Sequence, residues 1–298
     1  MHGKVGEVLI SFLIPTFNRP EKTLRAIKSA LNQTYKNIEV IVTDNSENED
    51  TFLLIKKSIN DPRLFYYHNK TNIGLLNNWK KAFSYSNGEL VKILFSDDWV
   101  DEHFCEQLVK YFIENENVNL AFSGVIYKGE DHDELLYKPS SITHFNLSSY
   151  FKQLVLHHNL SLSPGNCIFR KNAISFRNFY FNAEINKTIN ETGAGADILL
   201  ILSSLQPVNS IGIGLPFISS FFEGKDDSIT LNRWNQISAI YNQVLYFFLE
   251  EIEISDKEVL LRKLNDRIML KNFNYPLLYK VFNKIESISR KIKFIFSH

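Results

Sequence analysis

Two adjacent carboxylates, Asp97 and Asp98, follow Ser96 and the apolar run Ile93-Leu94-Phe95. Carboxylates this close repel each other, so a fold that ends a buried segment on them needs a positive partner. Hard divalent cations such as Mg²⁺ and Mn²⁺ meet that need, because they bind carboxylate and phosphate oxygens together. The pair therefore predicts a metal site with Asp98 as a ligand. The simpler alternative is that the acids cap the following helix, since acids favour helix N-termini.

Polar side chains also follow the other apolar runs in the first 125 residues. The runs at 7–15, 38–44 and 63–68 have the length and composition of strands. The residues that end these runs or follow them, with the residue before the acidic pair, include Pro15, Thr16, Asn18, Arg19, Asp44, Asn72 and Ser96. In an open parallel sheet, ligands bind outside the carboxyl ends of the strands. We therefore expect these residues to converge with the acidic pair at one edge of a sheet.

The elements that must position these residues alternate in type. The predicted strands lie at 7–15, 38–44, 63–68, 89–95 and 118–124. The first predicted helix begins near Pro20, and the others lie at 49–59, 75–86 and 101–115. Strands that alternate with helices indicate an α/β fold, in which helices flank a mostly parallel sheet.

The uncharged segment from Ile198 to Phe222 is the one stretch that must be compared with a membrane span. A spanning helix needs about 20 predominantly apolar residues. Pro207, Gly212 and Pro216 interrupt this segment, so it predicts a buried helix, a turn and a strand instead.

The composition excludes several classes of protein. Lys and Arg together number 33, as do Asp and Glu, so the net charge is zero and a dedicated nucleic-acid binder is not expected. The two cysteines, Cys105 and Cys167, form neither a disulfide framework nor a metal cluster, which favours a reducing compartment. The apolar start at 8–15 lacks the features of a secretory signal. No glycine-rich phosphate loop follows a predicted strand, so neither a Walker nor a dinucleotide site is expected.

The combination of these motifs resembles the family 2 glycosyltransferases, which have the GT-A fold. The resemblance is carried by FLIPTFNRPEKTLRAIKSALNQTYKNIEVIVTDNS at 12–46, then by Asn72-Ile73-Gly74, Gly88-Glu89 and Ser96-Asp97-Asp98. It covers roughly residues 8–125, and the segment from Asn72 to Trp99 is most similar to abequosyltransferase-like enzymes that build bacterial polysaccharide or O-antigen repeats. The resemblance implies a nucleotide-sugar-binding half at 1–125, an acceptor-binding half at 126–232 and a helical C-terminal extension at 233–298.

The resemblance also implies roles on the donor side. Thr16, Asn18 and Arg19, in the turn that begins at Pro15, match the residues that cradle the nucleotide. Asp44 matches the acid that accepts the imide N–H of the base, which suits a UDP- or dTDP-sugar. Asn72, Ser96 and Asp97 match further donor-side positions, and Asp98 matches the ligand of the Mn²⁺ or Mg²⁺ ion that bridges the diphosphate. Ser96 replaces the first acid of the usual D-x-D motif.

Acceptor-side and catalytic roles are implied for the second half of the chain. Arg170 and Asn166, in LSPGNCIFRKNA at 162–173, match acceptor-side positions, as does Trp99, although a structural role for Arg170 is an open alternative. Asp197 matches the catalytic base, with helix capping as its alternative. Its competitors for the catalytic role are Glu191, Asp226 and Asp227. The loop at 221–231 contains no histidine, so the resemblance does not identify a third metal ligand.

The resemblance thus implies an inverting glycosyltransferase that moves a sugar from a nucleotide-sugar to a hydroxyl of a glycan or polyprenyl-linked acceptor in cell-surface polysaccharide biosynthesis. A sugar nucleotidyltransferase and a non-catalytic nucleotide- or metal-binding module are the alternatives. A sugar nucleotidyltransferase normally has a glycine-rich signature after the first strand, which this sequence lacks. Receiver-type binding modules have their acid pair after the first strand, whereas the pair in this sequence follows a later strand. The expected location is the cytoplasm, including the inner face of the membrane. Either membrane contact or packing against its own domain or another subunit would explain the apolar stripe with flanking lysines and arginines at 280–295.

Overall fold

The computed structural model describes residues 8–129, 132–156, 160, 163–176, 186–187, 189–190, 193–223 and 234–272. The chain divides into two compact units, Met1–Trp234 and Asn235–His298. The first unit contains all the residues of the candidate site that the structure describes.

The first half of this unit alternates strands and helices in the predicted order. Its elements are β1 (Ile10–Thr16), α1 (Pro20–Leu31), β2 (Ile38–Asp44), α2 (Asp50–Ser58), β3 (Leu64–His68), α3 (Leu75–Tyr85) and β4 (Leu90–Ile93). The four strands are parallel and lie side by side in the order β3-β2-β1-β4. Their carboxyl ends therefore lie at the same edge of the sheet.

The second half extends the same sheet with mixed pairing. Its elements are β5 (Trp99–Val100), α4 (Phe104–Glu114), β6 (Val118–Lys128), β7 (Asp133–Tyr137), β8 (Thr143–Phe145), α5 (Leu147–Leu156), β9 (Cys167–Arg170), α6 (Ala196–Ser204) and β10 (Ile211–Glu223), with 3₁₀ turns at Pro164–Asn166 and Lys171–Ala173. The full order is β3-β2-β1-β4-β9-β6-β10-β5, with β7 beside β6 and β8 beside β10. Strand β9 is antiparallel to both of its neighbours, whereas β6 and β10 are parallel. The fold is thus a mostly parallel sheet flanked by helices, as predicted.

The core forms because the central strands are apolar on both faces. Every residue of β1 and β2 is buried, as expected for strands covered by helices on both sides. Helix α1 begins at Pro20, which is pre-organised for the first helical position, and buries Ala26 and Ile27 against the sheet. This packing fixes the loop between β1 and α1 at the carboxyl edge of the sheet.

The segment at 198–222 folds as predicted, into most of a buried helix, a turn and a strand. Helix α6 is almost completely buried, and β10 pairs with β6 in the interior of the sheet. Within the described parts of the chain, no helix is long and apolar enough to cross a membrane.

The second unit is helical in its described part. It contains most of α7 (Trp234–Glu251) and α8 (Lys257–Asn272), and Val244, Leu249 and Leu260 are buried. The basic stripe predicted at 280–295 lies outside the described residues.

Candidate active site at the carboxyl edge of the sheet

The segments that follow β1, β2 and β4 meet at the carboxyl edge of the sheet. The Arg19 guanidinium donates to the Asp97 carboxylate with an Nη1–Oδ2 distance of 2.5 Å. The backbone N–H of Asn18 donates to the Ser46 hydroxyl, with an N–Oγ distance of 2.8 Å. The predicted convergence of these strand ends is therefore confirmed.

The turn after β1 is held in one conformation by local contacts. Asn18 has a φ of +52°, in the left-handed region that asparagine adopts more readily than most residues. The Thr23 hydroxyl donates to the Arg19 carbonyl and also lies 2.6 Å from the Thr16 hydroxyl. These contacts hold the backbone of the turn that carries Arg19.

Asp44 is fully buried at the end of β2, and both oxygens of its carboxylate accept hydrogen bonds. Oδ1 accepts from the backbone N–H of Ser46 at 2.7 Å, and Oδ2 accepts from the Tyr66 hydroxyl at 2.8 Å. Burial and the Asp44 carboxylate raise the pKa of Tyr66, so this hydroxyl stays protonated and continues to donate. The predicted contact between Asp44 and a nucleotide base stays a prediction.

A network of amide side chains joins the predicted Asn72 to the ends of β1 and β2. The Asn45 amide donates to Asn72 Oδ1 at 3.0 Å, and the Asn69 amide donates to both Asn45 and Asn78. Asn78 in turn donates to the Thr43 carbonyl at 2.9 Å. Sequence analysis did not assign a role to Asn78, because a single polar residue in an amphipathic helix gives no signal until its burial is known.

Asp98 is 6% exposed and sits beside the last residue of β10. Its Oδ1 accepts the backbone N–H of Glu223 at 3.2 Å. Burial, and then the charge of neighbouring Asp97, raise the pKa of the Asp98 carboxyl well above its usual value. Within the described residues no group of three or more His, Cys, Asp or Glu side chains could hold a metal ion, so Asp98 remains a predicted ligand.

Lys92 is fully buried in β4, and sequence analysis did not single it out. Its ammonium group donates to the carbonyls of Ile93 and Gly165 and lies 5.0 Å from the centre of the Phe104 ring. Burial lowers the pKa of Lys92 to about 8, because the charged form loses its hydration. The residue links the strand that precedes Asp98 to the 3₁₀ turn at Pro164–Asn166.

A pH-dependent difference in stability is expected between the wild type and Lys92→Met. The unfolded chain holds the lysine proton up to its ordinary pKa of 10.5, whereas the folded chain releases it near pH 8. Raising the pH from 8 to 10.5 should therefore stabilise the wild type relative to the variant, by at most about 1.4 kcal/mol per pH unit. Urea unfolding of both proteins across this range measures the difference. Lys57→Met, at an exposed position, is the matched control, because its stability relative to the wild type should not depend on pH. A stability difference for Lys92→Met that is equally independent of pH would contradict the prediction.

The three predicted acceptor-side residues lie in different places. Trp99 follows Asp98 directly, is partly exposed and stacks on Phe221 with 5.7 Å between ring centres. Asn166 is fully buried and donates to the Ser123 carbonyl at 2.6 Å. The fold places Arg170 elsewhere, at the amino end of β4.

Arg170 lies at the amino end of β4, whereas Asp98 follows the carboxyl end. Its strand partner is Leu90, the first residue of β4. Its guanidinium donates to the backbone carbonyls of Val118 at 3.1 Å and Phe112 at 3.0 Å. The structure does not bring Arg170 to the candidate site, and its contacts are those of the structural role that the sequence left open.

Asp197 is the second residue of α6, and its Oδ1 accepts the N–H of Ile198 at 2.9 Å. The chain enters this helix through Gly193 and Gly195, which have φ values of +73° and +86°, where a residue with a Cβ is strained. Helix α6 contacts the 3₁₀ turn at Pro164–Asn166. The competing acids Glu191, Asp226 and Asp227 lie outside the described residues.

Comparison with known proteins agrees with this architecture. Residues 11–176, more than half of the chain, match the family described as Glycosyl transferase family 2. The chain therefore belongs to glycosyl transferase family 2.

Relatives and solved structures extend the comparison. Over 54% of its length the chain is 31% identical to the glycosyltransferase MJ1057 of Methanocaldococcus jannaschii, of which the match covers 57%. Over 39% of its length it is 34% identical to the Escherichia coli UDP-Glc:alpha-D-GlcNAc-diphosphoundecaprenol beta-1,3-glucosyltransferase WfaP, of which the match covers 45%. The structure of S. aureus TarS 1-349 in complex with UDP-GlcNAc superposes with a TM-score of 0.65 and 18% identity, covering 89% of this chain and 74% of TarS. The fold is thus GT-A, as predicted.

Proposed function

We propose that this protein transfers a sugar from a nucleotide-sugar donor to a hydroxyl group of a lipid-linked glycan, with inversion at the anomeric carbon. The observation that carries the proposal is the Arg19–Asp97 pair, which joins the turn after β1 to the acidic pair after β4 in a family 2 domain. The names of relatives support the substrate classes. WfaP is named for a UDP-glucose donor and a diphosphoundecaprenol-linked acceptor, and TarS has been solved with UDP-GlcNAc.

The donor is proposed to bind along the carboxyl edge with its base near Asp44. A pyrimidine imide N–H suits a carboxylate acceptor, which favours a UDP- or dTDP-sugar. Pro15, Thr16, Asn18, Arg19, Asn72, Ser96 and Asp97 are the other proposed donor contacts. The narrower proposal of an abequosyltransferase-like specificity rests on the sequence from Asn72 to Trp99.

A divalent cation fits the carboxylate of Asp98. Oδ1 accepts one backbone N–H, and this carboxylate makes no other hydrogen bond to the described residues. Because burial disfavours its ionised form, a bound hard cation would compensate the carboxylate charge. A bound Mn²⁺ or Mg²⁺ ion would supply positive charge to the departing diphosphate.

The protein's own acids are proposed to divide the chemistry between the two sides of the sugar. The acceptor hydroxyl oxygen bonds to the anomeric carbon as the bond from that carbon to the diphosphate oxygen breaks. The hydroxyl proton passes to the Asp197 carboxylate, and the electron pair of the broken bond leaves with the nucleoside diphosphate. Attack opposite the leaving group inverts the configuration. Trp99 is the strongest proposed acceptor contact, because it is partly exposed beside Asp98. Asn166 is the other residue proposed from sequence, whereas Arg170 is not proposed, because it lies at the opposite end of β4.

The experiment that tests this function is a thermal-shift panel followed by a transfer assay. UDP-, dTDP- and GDP-sugars are compared with and without Mn²⁺, and the stabilising donor is then incubated with a synthetic polyprenyl diphosphate glycan. We expect Mn²⁺-dependent stabilisation by a pyrimidine donor and release of its nucleoside diphosphate. Pyrophosphate release from a nucleoside triphosphate and a sugar 1-phosphate would instead indicate a nucleotidyltransferase. Stabilisation without turnover would indicate a binding module.

A lipid-linked acceptor places the reaction at a membrane surface, which we propose to be the cytoplasmic face. Deleting residues 279–298, which lie outside the described residues, should reduce co-sedimentation with phosphatidylglycerol vesicles because it removes the basic stripe. Transfer to a water-soluble acceptor should change less. A variant with Lys284, Arg290 and Lys291 replaced by Glu is the control for charge. Equal vesicle binding by all three proteins would support packing against the protein itself or another subunit.

A further inference from the structure

Arg25, in the middle of α1, connects three segments that are distant in the sequence. Its Nη2 donates to the Asp97 carbonyl at 2.5 Å and to the Glu223 carboxylate at the end of β10. Its guanidinium also lies 4.2 Å from the centre of the Trp99 ring, within the range of a cation–π contact. One side chain therefore links α1 to both flanks of Asp98.

Glu223 transmits this contact to Asp98. The Glu223 side chain is 6% exposed, and a carboxylate that is so buried requires a cation to remain ionised at low cost. Arg25 bonds it directly, and the Lys22 ammonium lies 3.8 Å away. The backbone N–H of Glu223 donates to Asp98 Oδ1. Glu223 therefore contacts both Arg25, through its carboxylate, and Asp98, through its backbone N–H.

We propose that Arg25 and Glu223 are positioning residues that hold Asp98 for metal-dependent binding of the donor diphosphate, an inference that rests on the proposed function. Their ion pair fixes the end of β10, and the Glu223 N–H then occupies Oδ1, so that Oδ2 is left for a cation. The pairing of Phe221 with Trp99 in β10 and β5 supports the same alignment. Arginine suits this position because its planar guanidinium bonds two acceptors in fixed directions while it stacks on an aromatic ring.

The test measures UDP affinity by calorimetry with Mn²⁺ and with EDTA, in Arg25→Met, Arg25→Lys, Glu223→Gln and the Arg25→Met/Glu223→Gln double variant. We expect each neutral single variant to lose about tenfold or more in Mn²⁺-dependent affinity, which corresponds to about 1.4 kcal/mol. The double variant should lose no more Mn²⁺-dependent affinity than the single variant with the larger loss, because the two residues act as one unit. Arg25→Lys should lose less than Arg25→Met, since it keeps the charge. Affinity in EDTA should not change, because the proposed base contacts lie at β1 and β2.

Lys22→Met is the matched control, because it removes a cation near the same carboxylate without touching Asp97. We expect less than about a twofold effect, as is usual for a distant and partly exposed pair. Unchanged Mn²⁺-dependent affinity in both neutral single variants, with an unchanged Tm, would overturn the proposal. An equal loss with Mn²⁺ and with EDTA, accompanied by a lower Tm, would indicate a purely structural role and would overturn it too.

Binding of Mn²⁺ alone, followed by electron paramagnetic resonance in the same variants, separates this inference from the proposed function. A wild type that binds Mn²⁺ but not UDP would contradict the proposed donor. The loss of Mn²⁺ affinity in Arg25→Met and Glu223→Gln would still support the positioning role. A wild type that binds neither would overturn both.

Discussion

Asp98→Asn should abolish Mn²⁺-dependent binding of UDP while the fold is retained. The amide has the shape of the carboxylate but lacks the charge that a hard cation requires. We expect a loss of at least about 100-fold in Mn²⁺-dependent affinity, because even residues that only orient a metal ligand are worth 10- to 100-fold. Calorimetry with and without Mn²⁺ measures the effect. Unchanged Mn²⁺-dependent affinity would remove Asp98 from the metal site.

The stability of the same variant provides an independent check. The pKa of Asp98 is raised in the folded chain, so the unfolded chain ionises first as the pH rises, and the wild type loses stability until the folded carboxyl ionises as well. Asp98→Asn removes this cost, so without metal it should be at least as stable as the wild type at pH 7. Asp133→Asn is the control, since that acid is exposed and pairs with Lys128. A lower Tm in Asp98→Asn would indicate a structural role for the carboxylate.

Asp197→Asn should lower kcat by about 10²–10⁴-fold, the usual contribution of a general base. A sugar hydroxyl is a poor nucleophile at neutral pH, so its proton must be accepted as the new bond forms. Asp98 does not suit this role, because its carboxylate is proposed to bind the metal on the leaving-group side. The affinity for the nucleotide should change little, since Asp197 lies on α6 and not on the strands that end at the donor site. Steady-state kinetics and calorimetry on the same variant separate the two effects.

The alternative role of Asp197 is to cap α6, consistent with its 2.9 Å contact to the N–H of Ile198. A capping role predicts a lower Tm, with kcat reduced only in proportion to unfolding. Glu191→Gln is the control for catalysis, because Glu191 is the nearest competing acid in the sequence. Near-normal turnover in Asp197→Asn together with an inactive Glu191→Gln would transfer the role to Glu191.

The sequence was sufficient to predict the alternating elements of the first half and the edge where the site lies. Runs that are apolar on both faces, as in β1 and β2, predict strands covered by helices, and the edge where these strands end then follows from local pattern. The observed β2 at Ile38–Asp44 has the predicted bounds, whereas β4 ends at Ile93, two residues before the predicted end. Local pattern is less informative there because Leu94 is still buried and still bonded to β1 after the strand ends.

The tertiary structure decided which polar residues meet and which do not. Arg25 and Glu223 are 198 residues apart, and the pairing of β10 with β5 and β6 brings their charges together beside Asp98. Arg170 resembles an acceptor-side residue in sequence, but antiparallel pairing of β9 with β4 places it at the opposite end of the strand. The physical reason is the same in each case. Apolar periodicity depends on neighbours along the chain, whereas the environment of a charge depends on segments that become neighbours only when the sheet is assembled.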